Sequence, residues 1–200
     1  MLRNILLFCF TILILLTFSC ANAKNSENSQ QAKEALFSKT IGEAEISFLS
    51  APEEMQQAYD ISVEQKLKTI KLLAVGTVES RDIASSILYQ QLTGTKYTGS
   101  AQEWANFLDS VVKGLRGSGF EKLTFTLVGA DDKKFLGTEV HKEYTFTGSR
   151  GGNEQVIYNL AVLSEDKTQM YILSVGGNEY VKADVNKEFK RLVDSFKIEQ

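Results

Sequence analysis

The chain has 200 residues, 43% of them hydrophobic and 24% charged, with a formal net charge of −3 at pH 7. Lys and Arg are interleaved with Asp and Glu, as over 184–197, so no basic stripe tracks phosphates and nucleic acid is not an expected partner. The two cysteines are Cys9 and Cys20, so if the N-terminal segment is removed, disulfides, thiolate nucleophiles and cysteine metal sites are excluded from the remainder.

In chain order the first element is an address. Arg3 supplies a positive start, Ile5 to Phe18 is an almost unbroken apolar run, and Ala21-Asn22-Ala23 offers the small-x-small cleavage site of a secretory signal. Read instead as a transmembrane anchor, the run from Ile5 to Ala21 gives about 17 residues, the lower edge of what spans a bilayer. A third reading turns on Cys20: Leu16-Thr17-Phe18-Ser19-Cys20 resembles a bacterial lipoprotein box, in which the cysteine is acylated, with Thr17 where such boxes usually carry an aliphatic residue. The polar segment from Lys24 to Lys33 reads as a flexible tether. The expected organisation is a signal peptide over 1–23, a linker over 24–35 and one domain over 36–200, long enough to bury about two thirds of its unfolded surface.

Within that domain Ala44–Leu49, Ile70–Glu79 and Ile83–Leu92 read as strands. Pro52 closes the first of them, and a short helix is expected from Glu53 to Tyr59. The clearest helix spans Ala101 to Leu115, where Trp104, Phe107, Leu108, Val111, Val112 and Leu115 recur at three-and-four spacing. Ser100 and Glu103 form a capping box at its start, and Gly117 is the expected stop. Leu123 to Leu127 and Val140 to Phe146 alternate as half-buried strands, whereas Val156–Leu163 and Met170–Val175 are apolar on both faces, as central strands covered on both sides are. These four strands predict an antiparallel meander, with Glu165-Asp166-Lys167 as the turn before the last. A second amphipathic helix is expected from Tyr180 to Phe196. The class is therefore α+β: an antiparallel sheet of about six or seven strands packed with two main helices.

Glu143-Tyr144-Thr145-Phe146, the turn Gly148-Ser149-Arg150-Gly151-Gly152-Asn153, Met170-Tyr171-Ile172-Leu173 and the closing Leu192 to Ile198 resemble the PsbP-like domain superfamily. That group includes the photosystem accessory protein and many exported bacterial domains and lipoproteins without assigned activity. The likeness runs in element order from Ile41 to Ile198 and is specific over its C-terminal part. It implies an α/β/α sandwich and a non-enzymatic binding or assembly role, and it carries no catalytic signature.

Few side chains compete with that reading. Glu139, His141 and Glu143 project from one strand face about 7 Å apart, and an imidazole between two carboxylates has metal and acid–base chemistry. One strand cannot close a coordination shell, and His141 is the only histidine, so the polar face of a half-buried strand accounts for them. Arg150 among the glycines of 148–152 could hold an anion in a nest of N–H groups, but the segment joins two strands and does not open a helix, so a hairpin turn is the plainer reading. Gly-Gly-Asn-Glu recurs at 151–154 and 176–179 with unlike flanks, a coincidence between two loops. The acid pairs Glu53-Glu54, Asp131-Asp132 and Glu165-Asp166 fall in expected turns, and no Gly-x-Ser-x-Gly elbow is present. Trp104 and Phe107 read as core, while Tyr158 and Tyr171 on covered strands each need a hydroxyl partner.

The sequence therefore predicts no catalytic residue, no metal and no cofactor, and an exported domain that binds an unidentified envelope protein, touching membrane only through lipid on Cys20. The alternatives are a small-ligand carrier or sensor with an apolar pocket between helix and sheet and, last, a carboxylate-based hydrolase.

Overall fold

Period-two alternation decides the architecture, because it splits each central strand into two apolar faces that both need cover. The computed structural model describes residues 36–41, 44–49, 56–58, 63–66, 70–79, 82–92, 97–127, 141–164 and 166–199. The strands are β1 (Leu36–Ile41), β2 (Ala44–Leu49), β3 (Gln56–Ala58), β4 (Val63–Lys66), β5 (Ile70–Glu79) and β6 (Ile83–Leu92). They continue with β7 (Phe120–Leu127), β8 (His141–Arg150), β9 (Asn153–Leu163), β10 (Gln169–Asn178) and β11 (Lys197–Glu199). Helix α1 covers Ala101–Gly117 and α2 covers Lys182–Ser195, the latter entered through a 3-10 turn at Glu179–Val181.

One antiparallel sheet of eight strands runs β3-β5-β6-β10-β9-β8-β7, with β4 also paired to β5. A second sheet of three strands runs β1-β2-β11. The cross-strand rows Tyr89–Tyr171–Val162 and Ile87–Leu173–Leu160 lie on one face of the large sheet. Val185, Phe189 and Leu192 of α2 cover them, with Phe196 and with Phe48 of β2. The intervening row Leu88–Ile172–Ala161 lies on the other face, under Trp104, Phe107, Val111 and Leu115 of α1. Each of these large side chains stabilises the fold by about 1.5–3 kcal/mol. A helix on each face of an antiparallel sheet is the expected α+β sandwich.

Where the structure departs from the sequence reading, local chemistry explains it. Gln56–Ala58 is a strand hydrogen-bonded to Thr77–Glu79 and not part of a short helix: pairing with a long neighbouring strand outweighs a weak local preference. Helix α1 runs through Gly117 and ends with Ser118 as its cap, and the left-handed residue that turns the chain is Gly119, at φ +86°. Strand β2 was expected in the main sheet but belongs to the small one. The second Gly-Gly-Asn-Glu lies in β10 and the turn after it, not in a loop. The hairpin at Gly151-Gly152 is as expected, and both glycines have positive φ, +58° and +83°, as a two-residue primed turn requires.

Helix α2 is tied to the small sheet by a largely buried charge pair. Arg191 Nε donates to Glu188 Oε2 at 2.9 Å, its other nitrogens reach Glu188 Oε1 and the Leu49 carbonyl, and the Leu49 N–H donates to Ser195 Oγ at 3.0 Å. Among the described residues no helix is long and apolar enough to cross a membrane; the apolar run of residues 5–21 lies outside them.

Candidate binding pocket

The segment leading into α1 is clamped from three sides. The Tyr97 N–H donates to the Lys167 carbonyl in the β9–β10 turn at 2.7 Å. Ser100 Oγ accepts the Glu103 N–H at 3.3 Å, as an N-cap should. Glu103 Oε2 in return accepts from the Thr98 N–H, the Thr98 hydroxyl and the Gly99 N–H, each at 2.8 Å. The expected capping box is present, widened so that one carboxylate gathers the whole entry segment.

That clamp leaves a small pocket at the seam between helix and sheet. Tyr97, Trp104 and Phe107 line it from the helix side and Leu163 and Met170 from the sheet, with Gly99 and Glu103 completing it. Its volume is about 20 Å³, room for one or a few atoms and far below the roughly 300–1,000 Å³ of a typical small-molecule site. Trp104 is only 6% exposed, and its indole N–H has no hydrogen-bond partner among the described residues. The Trp104 and Phe107 rings meet edge to face at 5.8 Å, and Phe107 meets Tyr144 likewise at 6.1 Å. The Tyr144 hydroxyl is also without a partner among the described residues, and burial raises its pKa. Burial, helped by the nearby Glu103 charge, does the same to Tyr97.

Burial pushes the Glu103 carboxyl upward, but hydrogen bonds from Thr98, Gly99 and Ser100 outweigh it and leave the pKa below its ordinary 4.5. A depressed folded pKa means stability that is present above the unfolded value and lost as pH falls through the folded one. Glu103→Gln keeps an acceptor and removes the charge, so it should lower stability by about 0.5 kcal/mol at neutral pH. Urea midpoints for the two proteins should differ at pH 7 and converge as the pH falls through the range in which the Glu103 carboxyl takes up its proton; a gap that does not change with pH would show that the charge contributes nothing.

The residues singled out in the sequence are not gathered here. Cys20 and Glu139 lie outside the described residues. His141 and Glu143 sit two apart on β8, opposite Val162 and Leu160. Among the described residues no three His, Cys, Asp or Glu approach closely enough to hold a metal. The Arg150 guanidinium stacks 5.7 Å from the centre of the Phe120 ring, at a strand end and beside the hairpin turn. Asp166 organises its own turn, accepting from the Ser164 and Thr168 hydroxyls. The Tyr171 hydroxyl finds its partner in Gln169, at 3.0 Å, while Tyr158 stacks on Phe189. Sequence reasoning placed Trp104 and Phe107 in the core, where they are, and did not show that the same rings border a pocket.

No family model matches the sequence, and no curated protein matches it significantly. Among the solved structures that share its fold are the following two. Cyanobacterial PsbP (CyanoP) from Synechocystis sp. PCC 6803 is 17% identical, with 86% of this chain and 96% of that one covered at a TM-score of 0.53. LpqN, involved in cell envelope biogenesis of Mycobacterium tuberculosis, is 11% identical, with 84% and 92% covered at a TM-score of 0.50. At such identities the likeness speaks of fold, and with the element order above it establishes that this chain has the PsbP-like α+β fold.

Proposed function

We propose that the chain is an exported, non-catalytic binding or assembly domain of the cell envelope, acting on an envelope protein. The observation that carries this reading is the coincidence of a leader-like N-terminus, Arg3 through Ala23, with a fold shared by LpqN, a protein of cell envelope biogenesis. On this reading residues 1–23 are removed to leave Lys24 first, or Cys20 is acylated and holds the domain to a membrane, with the polar 24–35 segment as tether. The carboxylates with the strongest placement serve the fold: Glu103 caps α1 and Glu188 pairs with Arg191.

The space under α1 is the feature nearest to the apolar pocket of the small-ligand reading, and at about 20 Å³, room for about one water molecule, it is far below what a metabolite needs.

Export is tested by the intact mass of the protein recovered from membrane, soluble and external fractions of cells expressing the full chain. An N-terminus at Lys24, or an acylated Cys20, is the expected result; a chain retaining Met1 in the cytoplasm would overturn the reading.

A further inference from the structure

We propose that the outer edge of β7 pairs with the same edge of a second copy of this chain, antiparallel about a two-fold axis at Phe125, so that the large sheets of the two molecules become one. This goes beyond the envelope role proposed above and does not depend on it.

The first observation is an open edge. Strand β7 ends the large sheet: it is hydrogen-bonded to β8 on one side, and among the described residues nothing pairs with the other. An edge strand presents a row of N–H and C=O groups that a further strand can take up, and proteins commonly block such a row with charge, proline or a bulge. In β7 those devices are confined to its start. Exposed Glu121 and Lys122 stand there, the register with β8 shifts between Glu121 and Thr124, and Lys122 has φ +49°. Beyond the bulge, Leu123-Thr124-Phe125-Thr126-Leu127 carries no charge, no glycine and no proline, and its Thr and Phe favour strands.

The second observation says which strand fits. That segment reads the same in both directions. An antiparallel pair about Phe125 therefore sets Phe125 against its own copy, with Thr124 opposite Thr126 and Leu123 opposite Leu127 of the second copy. A two-fold interface requires such self-complementarity, and it requires that no charge meet its like across the axis; Glu121 and Lys122 fall outside the paired window. The third observation is Phe125 itself. Its ring packs against Tyr144 and Phe146, at 6.1 and 5.4 Å, yet remains 38% exposed, and its copy across the axis would cover it. Thr124 and Thr126, on the other face by alternation, are exposed as well and would meet as cross-strand threonine pairs. Both copies use the same edge, so pairing consumes it and assembly stops at two. Five residues from each copy bury less than the roughly 1,200 Å² of the smallest standard interfaces, so the dimer is weak, with a dissociation constant on the order of 100 μM.

Sedimentation equilibrium of the purified protein, from about tenfold below to about tenfold above that constant, should show a reversible monomer–dimer equilibrium. Thr124→Lys with Thr126→Lys places lysine opposite lysine twice and should weaken association at least about tenfold, whereas Thr124→Lys with Thr126→Glu places opposite charges across the axis and should stay within about threefold of the wild type. Both positions are exposed, and the Tm of each variant checks that the monomer keeps its fold. Register is read by cross-linking with copper–phenanthroline in a Cys9→Ser, Cys20→Ser background. A mixture of Thr124→Cys and Thr126→Cys chains should form a mixed disulfide, and Thr124→Cys alone should not, because its two sulfurs lie on a diagonal beyond disulfide reach. A protein that stays monomeric throughout the range overturns the proposal. So does a dimer that the double lysine variant leaves unchanged, which would rest on another surface, or one that Thr124→Cys alone links as readily, which would rest on another register. Export, read by intact mass, stands or falls separately.

Discussion

Arg191→Ala is expected to cost the domain about 3 kcal/mol, the low end for breaking a buried ion pair. The Arg191 and Glu188 side chains are 12% and 9% exposed, so removing the guanidinium leaves a carboxylate with little water to replace it. The same substitution frees the Leu49 carbonyl, which Arg191 holds at the end of β2. Arg191 therefore does two things: it neutralises Glu188 on its own helix and fastens that helix to the small sheet. The guanidinium suits both because its donors diverge in a plane, so one edge can meet the carboxylate while another nitrogen reaches the backbone. For a chain of this size the loss corresponds to a fall in Tm of about 6–12 °C. The double variant Arg191→Met with Glu188→Leu should recover most of it, because replacing both partners by apolar groups removes the orphaned charge along with the pair. Thermal unfolding of the wild type, Arg191→Met, Glu188→Leu and the double variant closes the cycle, with Arg191→Ala measured beside it. A single-variant loss under about 1 kcal/mol would place the pair among solvated surface bridges and would leave the α2–β2 junction to Ser195 and to packing around Phe48.

The sequence was most legible where one physical demand dominates. Helix α1 is written in the spacing of Trp104, Phe107, Val111 and Leu115 and in the Ser100–Glu103 cap, all within one helical element, and the structure places each as expected. The meander from β7 to β10 is equally local: period-two alternation names the faces, and Gly151-Gly152 and Asp166 mark turns that chain neighbours alone can build. What escaped depends on partners far away in the chain. Gln56–Ala58 has no strand signature of its own and becomes one only against β5. The chain end at Lys197–Glu199 pairs with Ser47–Glu45, across nearly the whole domain, and no periodicity in three residues can announce that. Assignment of β2 to the small sheet follows from that same pairing. The pocket was hidden for a related reason. A stripe of aromatics at helical spacing predicts burial, and burial alone does not say whether the last atoms of space are filled; that depends on how Leu163 and Met170, some sixty residues on, meet Trp104 and Phe107 across the seam.

Gly177→Ala is the substitution expected to damage the fold most for the fewest atoms added. A Cβ at this position would lie 2.3 Å from the Asp82 carbonyl oxygen and 2.9 Å from Val185 Cγ2. The first contact is backbone and cannot swing aside. It also sits where the chain entering β6 is locked to the end of β10: the Asp82 carbonyl accepts the Asn178 N–H at 3.2 Å, and its carboxylate accepts from Asn178 Nδ2 at 3.0 Å and from the Tyr180 hydroxyl. Relieving the clash means moving Asp82, and moving Asp82 loosens that lock together with the approach of α2 through Val185. Overpacking a rigid site costs about 1–3 kcal/mol, and the loss of these hydrogen bonds adds about 1 kcal/mol each, so a loss of about 3 kcal/mol or more is expected. The neighbouring Gly176→Ala is the control. Its added carbon would meet first the Ile157 side chain, at 3.1 Å, which can yield a few tenths of an ångström, so its cost should stay under about 1.5 kcal/mol. Urea unfolding of both variants, with slopes compared to confirm a two-state transition, reads the difference directly. Equal losses would mean that the turn at Asp82 is compliant, and the lock between β6 and β10 would then be a consequence of the sheet pairing and not a constraint upon it.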